Sequence, residues 1–224
     1  MKKRSLLFVI IGIIIWAAGC KQTDDKFISE GEIEYEASVL DQDNSMATMA
    51  PNKMLVKFKS NKSCAEMNAG MGLFSASFIS DPEKKSFIQL VKILNKKFLL
   101  TQDEESIKRE NARYELKLIP STETKVIAGY TCKKMEVIPA DKNIHAFDVY
   151  YTNEIDIKQP NYTNPFHEID GVLMEYQLKK FGLEMRFVAR KVKKEIIDEK
   201  CFQIPADYKK VSEKEMKMIF DDLQ

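Results

Sequence analysis

Gly31-Glu32-Ile33-Glu34-Tyr35-Glu36-Ala37-Ser38-Val39 is the stretch whose reading decides the fold. Ile33, Tyr35, Ala37 and Val39 alternate with Glu32, Glu34, Glu36 and Ser38. A period of two is what a strand with one dry face and one wet face requires. Downstream, the turn formers Asp41-Gln42-Asp43-Asn44-Ser45 break the pattern, and Lys53–Lys59 resumes it with Met54, Val56 and Phe58 on the dry side. The turn Ser60-Asn61-Lys62 leads to Cys64–Met71. There Ser63 and Glu66 have capping-box spacing, but Gly70 and Gly72 argue for another strand.

The same punctuation continues to the end of the chain. Phe74–Ile79 turns at Asp81-Pro82, Phe87–Leu94 turns at Asn95-Lys96, and Lys97–Leu100 follows. Thr101–Asn111 is polar and predicts one surface helix capped by Thr101. Tyr114, Leu116 and Leu118 predict a strand that Pro120-Ser121-Thr122 ends. Lys125–Ile127 and Tyr130–Ile138 flank Ala128-Gly129, and Phe147–Thr152 alternates again. Asn153–Asp170 has two prolines and no sustained period, a length of irregular chain that usually serves a purpose. Val172–Leu178, Leu183 to about Ile197 and a short piece at Cys201–Ile204 complete the strands. Ser212 and Glu215 then open a short amphipathic helix, with Met216, Ile219 and Phe220 on one stripe. Roughly ten strands joined by turns predict a mainly β (α+β) fold. Its form is a curved antiparallel sheet, a half-barrel, that limits its edges by curling, with one or two short helices.

Upstream of this domain, Met1-Lys2-Lys3-Arg4 precedes the apolar run Leu6–Ala18 and Gly19-Cys20. The run is shorter than the roughly 20 apolar residues that cross a bilayer core. A basic start, an apolar middle and a small-residue end describe a secretory signal, and a cysteine directly after Ala17-Ala18-Gly19 makes it a lipoprotein signal. The organisation that follows is residues 1–19 as signal peptide, 20–30 as a lipidated polar tether, and 31–224 as a single β domain. Cys20 is the candidate for acylation, and a palmitate-type chain contributes about 0.8 kcal/mol of membrane affinity per buried methylene. The expected address is the cell envelope, as an outer-membrane lipoprotein facing the periplasm or the surface. Lys21 followed by Asp24 and Asp25 fits either a solvated spacer or a surface-export tag.

The formal charge of +1 changes sign once Lys2, Lys3 and Arg4 leave with the signal. Mixed charges without a basic stripe disfavour nucleic-acid binding. Cys64, Cys132 and Cys201 are too widely spaced for a zinc pattern and make at most one bridge; buried free thiols are the alternative. The chain has no Gly-x-Ser-x-Gly, P-loop, Cys-x-x-Cys or paired-histidine zinc helix. His167-Glu168 begins the zinc motif without its second histidine, His145 reads as a surface residue, and Glu154 and Asp156 read as solvated loop carboxylates. No catalytic residue, cofactor or metal is therefore expected. Met54, Met67, Met71, Met135, Met174 and Met185 fall on predicted strands. Flexible thioethers suit a cavity for varied apolar ligands, and ordinary core packing uses them equally well.

Glu66–Gly72, Ile79-Ser80-Asp81 and Leu94–Phe98 resemble segments of a lipoprotein family of Bacteroidota that includes the GLPGLI-type proteins. Glu123–Lys134, around Gly129-Tyr130-Thr131-Cys132, is similar to that family's Gly-Tyr-x-Cys stretch. Asp170–Tyr176 is similar to its later Gly-Leu-Pro-Leu-Glu-Tyr segment, with Val172 and Met174 replacing the usual Leu and Pro. The resemblance covers about residues 31–210. It implies a fold like that of the LolA/LolB lipoprotein carriers, a curved sheet with a greasy concave face. Together these readings give a non-catalytic, lipid-anchored protein that binds an apolar or lipid ligand, with Tyr162 and Phe166 of the long loop at the rim. A protein–protein interaction module at the membrane or cell surface is the alternative, with its partner unspecified.

Overall fold

The computed structural model describes residues 27–222 apart from 42, 44–46, 143 and 181. Cys20, the signal segment and the tether as far as residue 26 lie outside the described residues.

Two antiparallel meanders build one sheet. The first contains β1 (Glu30–Val39), β2 (Lys53–Lys59), β3 (Lys62–Ala69), β4 (Phe74–Asp81), β5 (Ser86–Ile93) and β6 (Lys96–Gln102). Helix α1 (Glu104–Asn111) leads to the second: β7 (Leu116–Ile127), β8 (Tyr130–Pro139), β9 (Phe147–Thr152), β10 (Val172–Lys180) and β11 (Leu183–Lys193). A two-residue strand, β12 (Lys209–Lys210), and helix α2 (Glu213–Asp221) follow. The order across the sheet is β12-β6-β5-β4-β3-β2-β1-β11-β10-β9-β8-β7. The meanders therefore join along β1 and β11, where Tyr35 pairs with Ala189 and Val39 with Met185, with a bulge between Glu34 and Tyr35. The result is mainly β, one curved open sheet of half-barrel form with two short helices.

The predicted alternation decides which face is dry. Ile33, Tyr35 and Ala37 are buried, while their neighbours on the convex side form ion pairs such as Glu34–Lys53 at 2.8 Å and Glu32–Lys193 at 3.0 Å. Glu175, buried on that side, holds Lys125 at 2.6 Å and also pairs with Arg186. The chain after β11 crosses the convex face, where Phe202 and Tyr208 cover Cys64, Ile79 and Leu90. It then pairs with β6 and turns over the sheet edge, so that Met216 and Phe220 of α2 pack on Val91 and Leu100. Ser212 caps α2 with the predicted box: its Oγ accepts from the Glu215 N–H, and the Glu215 carboxylate accepts from the Ser212 N–H.

Several sequence expectations need correction. β7 does not stop at Pro120 but runs twelve residues, with a bulge between Pro120 and Thr124. It is an edge strand, and an edge tolerates a residue that cannot donate to a ladder. Asp103, not Thr101, caps α1; its Oδ1 accepts from the Ser106 N–H at 2.9 Å, while Thr101 continues β6. Met71, expected on a strand, sits in the 3-10 turn Gly70–Gly72 with φ +52°. The piece near Cys201 is the 3-10 turn Glu199–Phe202. The described residues form twelve strands where the sequence predicts about ten, and β12 pairs parallel to β6 in an otherwise antiparallel sheet. Of the two outcomes the sequence leaves open for the cysteines, the structure has free thiols at Cys64, Cys132 and Cys201, the first two buried.

Candidate functional site

The antiparallel register turns the dry positions into rows that run across the concave face. One row reads Tyr35, Met54, Met67, Ala76, Val91; the next reads Ile33, Val56, Ala65, Phe78, Gln89. A third reads Gly31, Phe58, Ser63, Ser80, Phe87. Across the β1–β11 junction the face continues through Phe187 and Met185, which pair with Tyr176 and Leu178 of β10. Small residues at Ala65 and Ala76 leave the middle of this floor low, and a cavity of about 380 Å³ lies over it. That volume falls within the range of pockets that hold small molecules.

The long loop roofs one side. Ile28 and Ile155 form an isolated bridge, and Asp156 N–H donates to Ile28 O at 2.9 Å. Asn161, buried to 3 %, donates from Nδ2 to the carbonyls of Ile169 and Gly171 at 2.8 and 2.9 Å. This clasp bends the loop so that Ile157, Pro160, Thr163 and Asn164 face the cavity. Phe220 of α2 closes another side. At the mouth, Leu73 and Leu94 are 50 % and 60 % exposed, and Leu94 N–H donates to Leu73 O at 2.6 Å.

An aromatic chain stiffens the wall. Tyr176 stacks on Phe187 with centroids 5.0 Å apart, and Tyr35 and Phe166 each meet it edge-on at 6.2 Å. The Tyr35 hydroxyl donates to Leu173 O at 2.7 Å. Burial pushes both phenols, Tyr35 and Tyr176, well above the ordinary tyrosine range, so neither ionises in normal use.

Lys180 is the single charged residue among the described residues that line the cavity. Its ammonium lies 5.6 and 5.2 Å from the ring centroids of Phe78 and Phe87, and 3.0 Å from Glu110 Oε1. Glu110 also accepts from Gln102 Nε2 at 2.7 Å. Burial opposes the charge on Glu110, but Lys180, the Gln102 hydrogen bond and Arg113 outweigh it and hold the carboxyl below its ordinary range.

The residues singled out from sequence are distributed as follows. Met54, Met67 and Met185 line the cavity. Met174 is fully buried in the core beneath it, and Met135 packs with Phe166 in a neighbouring cluster. Met71 is fully exposed to solvent. Phe166 is 1 % exposed and lines a small pocket of about 50 Å³ beside Phe147 rather than the main one. Tyr162 faces α1, its carbonyl accepting from Asn111 Nδ2 at 3.3 Å, while its neighbours Asn161 and Thr163 line the cavity. Sequence reasoning missed Asn161 and Lys180. The alternation Tyr176, Leu178, Lys180 was the available signal for the second of these.

Among the described residues no cluster of three or more His, Cys, Asp or Glu is placed to hold a metal ion. Burial raises the thiols of Cys64 and Cys132 to about 12 and about 11, the direction opposite to that of an activated nucleophile. No helix among the described residues is long and apolar enough to cross a membrane.

A family model described as N-glycanase peptide, N-terminal domain, matches residues 33–163, more than half of the chain. The chain belongs to that family. The matched span holds the cavity floor from β1 to β5 and part of the roofing loop. No curated protein sequence matches the chain. Among solved structures, "Structure of PNGF-II in C2 space group" superposes with a TM-score of 0.52 at 18 % identity. The match covers 85 % of this chain and 33 % of that one, so the chain spans about a third of PNGF-II. At that identity the likeness concerns the fold alone. LprF from Mycobacterium bovis (9 % identity, 83 % of this chain and 92 % of that one) and MucB (12 %, 80 % and 57 %) give TM-scores of 0.31 and 0.30. These values are too low to carry an argument.

Proposed function

We propose that this N-glycanase N-terminal family member is a non-catalytic, lipid-anchored envelope protein whose curved sheet binds an apolar ligand. The observation that carries the reading is the cavity of about 380 Å³, floored by alternating apolar side chains and open at Leu73 and Leu94. Its aromatic and thioether lining accommodates an acyl chain without directional demands. The resemblance of Glu123–Lys134 and Asp170–Tyr176 to the GLPGLI-type lipoproteins supports this reading and a LolA-like role with it.

Ala65→Trp tests the cavity directly. Ala65 lies between Val56 and Phe78 in the middle of the floor, and an indole there fills the space a ligand would occupy. The wild-type chain is expected to bind the neutral fluorophore 1-aminoanthracene, and the variant to bind it at least about tenfold more weakly, a loss of about 1.4 kcal/mol. Equal binding by the two proteins would refute the site.

The anchor has its own test. Cells expressing the wild-type chain are expected to label it with radioactive palmitate, and Cys20→Ala is expected to lose the label entirely. An unlabelled wild-type chain would remove the lipoprotein reading while leaving the cavity untouched.

A second reading, an interaction module, has one observation in its favour. β7 is an edge strand whose residues from Thr122 to Val126 are exposed, Val126 to 70 %. An open edge can accept a partner's strand.

A further inference from the structure

We propose that the cavity takes a single-chain fatty acid with its carboxylate seated on Lys180. This inference rests on the cavity reading above and adds the chemical class of the ligand. A charge that lines an apolar cavity is costly unless it is paired, and Glu110 is the pair of Lys180. The alternation of β10 puts Lys180 on the dry face, two positions beyond Leu178 and four beyond Tyr176, where a leucine or valine would pack at no electrostatic cost. The polar side chains of the floor gather toward the same place: Ser63 and Ser80 occupy the row that ends at Phe87, and Phe87 lies under the Lys180 ammonium. The cavity is thus greasy along most of its length and has hydroxyls and one cation together in one region.

Glu110 pairs with Lys180 at 3.0 Å. A ligand carboxylate would compete with Glu110 for the ammonium, one carboxylate exchanged for another. Glu110 is not stranded if the lysine swings toward a ligand, because Gln102 Nε2 still donates to it. Size narrows the class further. A methylene takes up close to the ~30 Å³ share of a water molecule, so about 380 Å³ holds on the order of a dozen. That accommodates one acyl chain.

The experiment is displacement of 1-aminoanthracene from the full chain by dodecanoate and by dodecan-1-ol, which share a chain and differ in the head. Dodecanoate is expected to displace the fluorophore at concentrations at least about tenfold lower than the alcohol. Lys180→Met should bring that ratio to near one. Glu110→Gln should raise it, because it removes the competing carboxylate and leaves the cation. Equal displacement by acid and alcohol in the wild type would overturn the proposal, as would a ratio unchanged by Lys180→Met. So would a fall in the ratio for both variants, which would make the Lys180–Glu110 pair a structural strut. Failure of the fluorophore to bind at all would instead overturn the cavity reading, so the two failures are distinguishable.

Discussion

Gly31→Ala is expected to destabilise the chain by about 4 kcal/mol or more, the extreme of what a single substitution does. The domain's whole stability is expected to be about 5–15 kcal/mol. A Cβ on Gly31 would stand 2.2 Å from the carbonyl oxygen of Lys193, 3.2 Å from its carbonyl carbon and 3.3 Å from the Phe58 ring. The first two are backbone atoms of β11 and cannot rotate away as a side-chain tip would. Relief therefore requires β1 and β11 to part where the two meanders join. Urea unfolding, followed by fluorescence and circular dichroism, measures the effect. A variant within about 1 kcal/mol of the wild type would show that the junction is looser than the geometry indicates.

The second large effect is expected across the strand from that glycine. Phe58 is fully buried and pairs directly with Gly31 in the β1–β2 ladder, its ring lying beside the space a side chain would occupy. Phe58→Ala removes a whole aromatic ring and leaves a void at one end of the main core, at a cost of about 3–5 kcal/mol. The same unfolding experiment reads it, and a loss below about 1.5 kcal/mol would mean that the surrounding core collapses to fill the gap. The two substitutions share a contact, so their effects are not expected to add. In Gly31→Ala the ring is already displaced, and removing it as well should cost less than in the wild type.

The strands were legible because each needs only a period of two over seven or eight residues, as in Ile33–Val39 and Lys53–Lys59. What failed depended on neighbours in space. Pro120 ends a central strand but not an edge one, and position in the sheet is not written next to the proline. Asp103 and Thr101 are both good caps; β6 extending to Gln102 decides between them. β12 is two residues long and exists only because the tail has crossed the convex face to reach β6. The methionines were equally hard to place. Met67 and Met71 are four residues apart, yet one lines the cavity and the other is fully exposed beyond the end of its strand. Lys180 could be given a face from its alternation, but its meeting with Phe78, Phe87 and Glu110 joins parts of the chain up to about a hundred residues apart, and no local pattern encodes that.

One side of the β1–β11 seam lies outside the span that matches the family. The span recognised as N-glycanase N-terminal domain stops at residue 163, before β10 and β11 begin. A fragment trimmed to that boundary would keep β1 but bare its flank in mid-sheet, a raw hydrogen-bonding margin whose mate begins only at Leu183. It would also lack Tyr176, Phe187 and Lys180, and with them one wall of the chamber. The family match and the sheet therefore end at different places in this molecule: the seam with β1 runs on β11 as far as Lys193, and the cavity lining reaches Phe220.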